Sequence, residues 1–418
     1  MNHVIIGNSF AALFAIEAIR RTDQDAEITV ISREPQHVYS RAMIHEMLAG
    51  MVREPMVYLR DWDFYKRMRV RTMLGRTVTK INPGLQTVST EEDETPYDRL
   101  LIATGGKPFV PPLNGLQDIT YHSFITLEDA KKLKAACENR RNAVVLGAGL
   151  IGLQCAEALR HMGLDVAVVE MADTVLPMAL DTESSQTIAK ELADEGITVH
   201  TGDTINLIIS NNGHPTECKL RSGGTVPCDL LVIAVGVRPN IDLAKDAGIT
   251  TDRGIVVNEH METSAEHIYA AGDCAQGPEI VTGITMPIPV IPVASTQGMI
   301  AGYNMAGKRR RYGGALALNA MQFGDVQVIS YGFVKDERDG EVLKYIDPPR
   351  KIYRKVIIKN GRITGAIFVK DVDRAGIFRH LMEKRIDVTP FKEHLLSPHF
   401  GVAHLPAEIR ADMFTRPQ

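Results

Sequence analysis

Gly147, Gly149 and Gly152 stand in the run Leu146-Gly147-Ala148-Gly149-Leu150-Ile151-Gly152, a complete G-x-G-x-x-G. The first glycine permits a tight turn, the second lets a pyrophosphate approach backbone N–H groups, and the third allows close helix–strand packing. Those amides open a helix, where the backbone dipole favours an anion. Glu170 ends the next apolar run, about 20 residues on, where a carboxylate meets the ribose hydroxyls of an adenine dinucleotide. A 2′-phosphate would be repelled there, and Met171-Ala172-Asp173 supplies no arginine to receive one, which favours NAD(H) over NADP(H). The same chemistry stands altered near residue 1. In Val4-Ile5-Ile6-Gly7-Asn8-Ser9-Phe10-Ala11-Ala12, Ser9 and Ala12 replace two glycines. Alanine at the third position affects only packing. Ser9 is small, and its hydroxyl could donate to a phosphate oxygen. With Glu34 just past the following apolar run, this reads as an adapted dinucleotide cradle.

Each cradle needs a strand before it, a helix after it and a second strand carrying the acid. For the first, Val4–Gly7, Ala11–Arg21 and Glu27–Ser32 supply these; for the second, Ala143–Leu146, a helix with Leu153, Ala156, Leu159 and Met162 at helical spacing, and Asp165–Glu170. Arg99–Gly106 and His267–Asp273 read as buried strands ending in A-T-G and G-D, and Arg76–Ile81 as a further strand. Beyond residue 310, Asp325–Tyr331, Lys351–Lys359 and Gly365–Val369 read as strands, Asn360-Gly361 as a hairpin turn and Asp373–Arg385 as a helix. The fold class expected is α/β: two Rossmann-like dinucleotide-binding domains, one inserted in the other, plus a small C-terminal α+β domain. The boundaries fall at 1–112, 113–240, 241–310 and 311–418.

The composition narrows the field. Of 418 residues, 44% are hydrophobic and 23% charged, an ordinary globular balance. The five cysteines form no C-x-x-C pair, which argues against a disulfide scaffold, a zinc ribbon or an iron–sulfur cluster within the chain. The 13 histidines are scattered, and His45-Glu46 has no second histidine at metal spacing, so no metal is expected. The uncharged run Ile280–Gly307 holds Pro287, Pro289 and Pro292 and does not read as a membrane helix. A first strand beginning by His3 leaves no room for a signal peptide, so a cytoplasmic location is expected. The net charge is −4 with no aromatic-basic module, so nucleic acid is not an expected partner.

In order, the early glycine loop, the A-T-G strand, the second glycine loop, Gly236-Val237-Arg238-Pro239 and Ala271-Gly272-Asp273 resemble the FAD-dependent pyridine nucleotide oxidoreductases, the two-dinucleotide-binding-domain flavoproteins. Tyr39-Ser40-Arg41 and Gln297–Gly307 look most like rubredoxin reductases and the flavin portion of NADH-dependent nitrite reductases. They also resemble the NADH-oxidising FAD subunits of iron–sulfur enzymes such as tungsten aldehyde oxidoreductases. The resemblance implies FAD in the first cradle, with Gly7, Ser9 and Ala12 at the pyrophosphate and Glu34 at the ribose. Arg41 would reach the phosphates or the flavin edge, and Val78 the adenine. Thr104 and Gly105 would line the passage of FAD, and Asp273 would bind a ribityl hydroxyl. A helix starting at Gln297 would face the flavin N1/O2 edge. NAD(H) would occupy the second cradle, at Gly147, Gly149, Gly152 and Glu170, with Gly236 in the binding set. Gln154 stands where relatives often place a carboxylate near the nicotinamide.

The resemblance also sharpens what is missing. Residues 1–136 contain no cysteine, so there is no first-helix redox disulfide, and no catalytic side chain is expected. Electrons from NADH would leave for an external iron–sulfur protein or subunit, in an oligomer or hetero-complex, or enter from one. Two other readings stay open: a flavin NADH oxidase using oxygen, and a non-catalytic nucleotide-binding scaffold subunit. Residues 308–418 carry a net +8 and the rest −12. Lys308-Arg309-Arg310-Arg311 reads as a solvated linker or, joined to Arg350, Lys351, Arg354, Lys355, Arg374, Arg379, Lys384 and Arg385, as part of a basic docking face for an acidic carrier.

Overall fold

The computed structural model describes residues 1–414. They fold as two compact units, one of Met1–Met47, Val52–Pro108 and Val237–Ala315, the other of Leu48–Met51, Phe109–Gly236 and the residues from Leu316 onward.

The first unit is built on a five-stranded parallel sheet in the order Ile268–Ala270, Arg99–Ile102, Asn2–Ile6, Glu27–Ser32, Val70–Leu74. Val4 and Ile5 are wholly buried, as are Leu100, Leu101 and Ile102. Unbroken apolar runs of this kind are what a parallel sheet covered on both faces requires. Helix Phe10–Thr22 follows the first strand, and its Ala11, Ala12, Ala15 and Ala18 face inward. The small side chains have a partner. A Cβ on Gly298 would lie 2.1 Å from the Ala11 carbonyl oxygen, and one on Gly302 2.5 Å from that of Ala15. Gly298 and Gly302 lie in helix Ile291–Met305, so the two helices cross backbone to backbone.

That helix corrects one expectation. It begins at Ile291 and not at Gln297. Pro292 falls in its first turn, where a missing N–H leaves nothing unsatisfied and the fixed φ suits the helix. Of the three prolines that argued against a membrane helix in this run, Pro287 and Pro289 precede the helix and Pro292 lies in its first turn.

The second unit holds a four-stranded parallel sheet in the order Ile197–His200, Asp165–Val169, Asn142–Leu146, Leu230–Ile233. Helices Leu150–His161 and Thr182–Asp194 follow the two central strands. The same unit carries a five-stranded antiparallel sheet, Leu318–Phe323, Val326–Gly332, Arg362–Val369, Ile352–Lys359, Glu341–Asp347, with helix Ala375–Glu383. Asn360 (φ 50°) and Gly361 (φ 72°) both take positive φ in the hairpin between its longest strands, as a type I′ turn demands. Leu318–Phe323 and Glu341–Asp347 were not anticipated. Both lie at the sheet's edges, and Glu341–Asp347 consists only of exposed and half-buried residues.

Candidate functional site: two dinucleotide cradles

The second cradle is the simpler. Asn142–Leu146 delivers the chain to Gly147, whose φ of 109° only glycine adopts readily. A Cβ there would lie 2.4 Å from the Ala234 carbonyl oxygen, and one on Gly152 2.0 Å from that of Gly147. Both glycines are thus demanded by the fold. Gly149 is different. It has φ −75° and caps helix Leu150–His161, and a Cβ added there would meet nothing within 4 Å. Glycine at 149 keeps space open that the protein does not fill, which is what an incoming pyrophosphate needs.

Glu170 closes this cradle. Its Oε2 accepts the Ala148 N–H at 2.7 Å and its Oε1 that of Ala172 at 2.8 Å. The Ala148 carbonyl in turn accepts from Leu176 N–H at 2.8 Å. The carboxylate therefore fixes the glycine turn as well as presenting negative charge beside it, and its remaining lone pairs stay available to a hydroxyl. Gln154 is half-buried on the helix. Gly236 has φ 125° with open space at its Cβ, and its carbonyl accepts from Phe109 N–H at 3.0 Å.

In the first cradle, Gly7 has φ 114°, and a Cβ on it would lie 2.1 Å from the Ala103 carbonyl oxygen. Ser9 caps helix Phe10–Thr22 in an extended conformation, φ −130° and ψ −157°, which serine adopts without strain. Its hydroxyl makes no capping bond. Ala12 is wholly buried. These features fit a diphosphate at the helix N-terminus, with the Ser9 hydroxyl as an added donor.

Around this loop the structure gathers a polar set. Tyr39 donates its hydroxyl to Glu34 Oε2 at 2.5 Å, and Arg41 pairs with Glu34 Oε1. Burial raises the Asp273 carboxyl above its usual range, with the Arg41 charge opposing that rise. Glu34, Tyr39, Arg41 and Asp273 thus form one electrostatic group, although 234 positions separate the chain numbers 39 and 273. Gln297 is 2% exposed and its Oε1 accepts the Gly272 N–H at 2.9 Å. It braces the turn that presents Asp273 and does not sit at a helix N-terminus. Thr104 donates its hydroxyl to the Asn240 carbonyl at 2.7 Å, and the Gly105 carbonyl accepts from Asn240 N–H at 2.9 Å. Val78 packs in the core cluster with Val4, Ile6 and Ile102, its side chain buried.

All five cysteines are buried and none forms a disulfide, although the thiols of Cys218 and Cys228 lie within hydrogen-bonding reach of each other. Cys274, next to Asp273, is wholly buried and donates weakly to the carbonyls of Ile102 and Ala271, both at 3.4 Å. Burial raises its thiol pKa, as it does that of Cys155, so neither is a ready thiolate.

The basic tail is not the free cationic face its composition suggested. Lys355 is wholly buried, donating to Asp181, Glu337 and the Val334 carbonyl. Arg354 pairs with Asp371 and Lys351 with Glu191. Arg374 donates to the carbonyls of Pro398 and Phe400, Arg379 pairs with Glu383, and Lys384 with Asp412. Arg309 and Arg311 of the 308–311 run remain largely exposed, with Glu262 and Glu259 at 3.9 and 3.7 Å. Net charge counts residues, whereas docking depends on which of them remain unpaired.

Among the described residues no cluster of histidine, cysteine and acidic side chains could hold a metal, and no helix is long and apolar enough to cross a membrane.

Residues 1–298 match the family described as pyridine nucleotide-disulphide oxidoreductase, and residues 318–386 the rubredoxin NAD+ reductase C-terminal domain. The chain is 32% identical to the NADH-dependent phenylglyoxylate dehydrogenase subunit epsilon of Aromatoleum evansii over 96% of each. It is 30% identical to the nitrite reductase [NAD(P)H] of Bacillus subtilis (strain 168), covering 92% of this chain and 48% of that one. The chain therefore spans about half the length of that relative. Among solved structures it resembles the NAD-dependent persulfide reductase from A. fulgidus, with a TM-score of 0.87 and 30% identity over 93% of this chain and 78% of that one.

Proposed function

The chain belongs to the pyridine nucleotide-disulphide oxidoreductase family, and from that premise we propose that it exchanges electrons between NAD(H) and an external iron–sulfur carrier or partner subunit. It is an NADH-dependent flavoprotein oxidoreductase whose family cofactors are FAD and NAD(H). The observation that carries the proposal is the combination of two dinucleotide cradles with five cysteines that are all buried and free of disulfides. The family name includes a disulphide, but the two thiols that lie together here, Cys218 and Cys228, are wholly buried in the apolar core of the second unit, so the acceptor is taken to be another molecule. The near full-length likeness to a subunit of an NADH-dependent dehydrogenase supports a partner subunit.

FAD would be held by Gly7, Ser9 and Ala12 at its diphosphate, by Glu34 at the ribose, and by Arg41 and Asp273 further along. It supplies acceptance of a hydride from NADH and release of electrons one at a time. Gly147, Gly149, Gly152 and Glu170 would bind NAD(H), Glu170 excluding a 2′-phosphate by charge. Thr104 and Gly105, locked to Asn240, would hold the strand end over which FAD passes. The FAD-binding domain would comprise 1–112 and 241–310, the NAD-binding domain 113–240, and the C-terminal domain 311–418. The reducing cytoplasm is the proposed location.

The test is anaerobic mixing of the FAD-loaded protein with NADH, followed by addition of acceptors. Rapid loss of the flavin absorbance, restored by an iron–sulfur protein much faster than by oxygen, supports the proposal. Restoration fastest with oxygen indicates an oxidase. No bleaching indicates a scaffold.

A further inference from the structure

We infer that Asn8 and Tyr65 form a positioning pair that holds the first phosphate loop in shape, a need created by Ser9. The inference rests on the reading of that loop as the FAD cradle. Asn8 occupies the variable position between Gly7 and Ser9, and its side chain is tied at both ends. Its Oδ1 accepts the Tyr65 hydroxyl at 2.6 Å, and its Nδ2 donates to the Gln36 carbonyl at 3.2 Å. One tie reaches the loop after the second strand, and the other reaches helix Phe64–Arg67.

The far end is rigid. Tyr65 is 8% exposed, and its ring lies 4.6 Å from that of His37, which is 7% exposed. Phe64 and Trp62 pack around the same histidine. Tyr65 therefore presents its hydroxyl from a packed aromatic cluster and not from a mobile arm.

The need follows from the sequence of the loop. A glycine in the middle position would let a diphosphate settle against bare backbone. Ser9 carries a Cβ, so the ligand tolerates less displacement of the loop before that carbon obstructs it. A side-chain clamp on the adjacent residue restricts that displacement. It also holds the Ser9 hydroxyl, which caps nothing, in one place for a phosphate oxygen. The second cradle, with Gly149 open at its Cβ, needs no such clamp at Ala148 and has no side chain there to make one.

The experiment uses the full chain as wild type, Y65F and N8A. FAD dissociation is followed by recovery of flavin fluorescence on dilution, and ADP-ribose affinity reports on the second cradle. The apo-protein melting temperature reports on the fold. Y65F removes one oxygen and should weaken FAD binding about fivefold, the usual effect of one hydrogen bond. N8A loses both ties and should weaken it about tenfold or more. ADP-ribose affinity should stay the same in both variants. FAD affinity within twofold of wild type in both variants overturns the inference, as does a parallel loss of ADP-ribose affinity. A wild-type chain that retains no FAD under any loading condition overturns the underlying reading of the cradle, and the clamp with it.

Discussion

Replacing Glu157 with glutamine should stabilise the protein, and more so as pH rises. Glu157 lies on the helix after the second glycine loop. Burial, then the charges of Glu195 and Glu191, push its carboxyl up to about 8, against the pull of a bond from the Gly324 N–H at 3.3 Å. The carboxylates of Glu191 and Glu195 converge on the same turn, each within 2.6 Å of where a Gly324 Cβ would be. Glu191 is paired with Lys351, and burial raises Glu195 as well. The folded pKa lies above the unfolded one, so the neutral acid's contribution is fully present below pH 4.5 and is lost as pH rises through about 8. At about 1.4 kcal/mol per pH unit that interval corresponds to about 5 kcal/mol. Glu157 keeps some solvent exposure, and screening reduces the figure to roughly 2–3 kcal/mol. Glutamine keeps the acceptor for Gly324 and cannot ionise. Melting temperatures of wild type and E157Q, taken from pH 5 to pH 9, should diverge steadily up to about pH 8 and then run parallel. Curves that stay parallel throughout would refute the reasoning, because they would mean Glu157 has an ordinary pKa.

Three other outcomes follow from the same geometry. G149A should fold with an unchanged melting temperature yet lose NADH affinity by at least about tenfold, since only a ligand uses that space; G152A, whose Cβ would strike the Gly147 carbonyl oxygen at 2.0 Å, should instead destabilise the fold. His3 is wholly buried with both nitrogens unbonded, and burial lowers its pKa from 6.5 to about 4. Stability should therefore fall by up to about 3 kcal/mol as pH drops from 6.5 through 4, and H3L, melted at pH 7 and pH 4.5, should lack that component. K355M should lower stability to chemical denaturation by about 3–5 kcal/mol, because it leaves the Asp181 carboxylate, bonded at 2.8 Å, without its buried cation.

The sequence by itself determined the two βαβ units, their glycine turns and the hairpin at Asn360-Gly361. These depend on local rules: an apolar run long enough for a buried strand, a helical repeat of small and apolar residues, and positions whose φ only glycine or asparagine adopts readily. It also showed that no C-x-x-C pair and no cysteine before residue 137 is present, which is a matter of spacing, whereas the meeting of Cys218 and Cys228 is set by the fold. The tertiary structure decided everything that depends on which distant groups meet. Gln297, read as a helix start beside the flavin, braces Gly272, because the helix begins six residues earlier at Ile291, with Pro292, which pattern alone treats as a breaker, in its first turn. The motif Gly298–Gly302 serves helix crossing. In the tail, Lys351, Arg354, Lys355 and Arg379 are paired with Glu191, Asp371, Asp181 and Glu337, and Glu383 respectively. Tyr65, which holds Asn8, carried no signal in the sequence that set it apart from an ordinary core tyrosine. A hydrogen bond requires two groups within about 3 Å in a fixed orientation, and for residues far apart in the chain only the packed fold sets that distance.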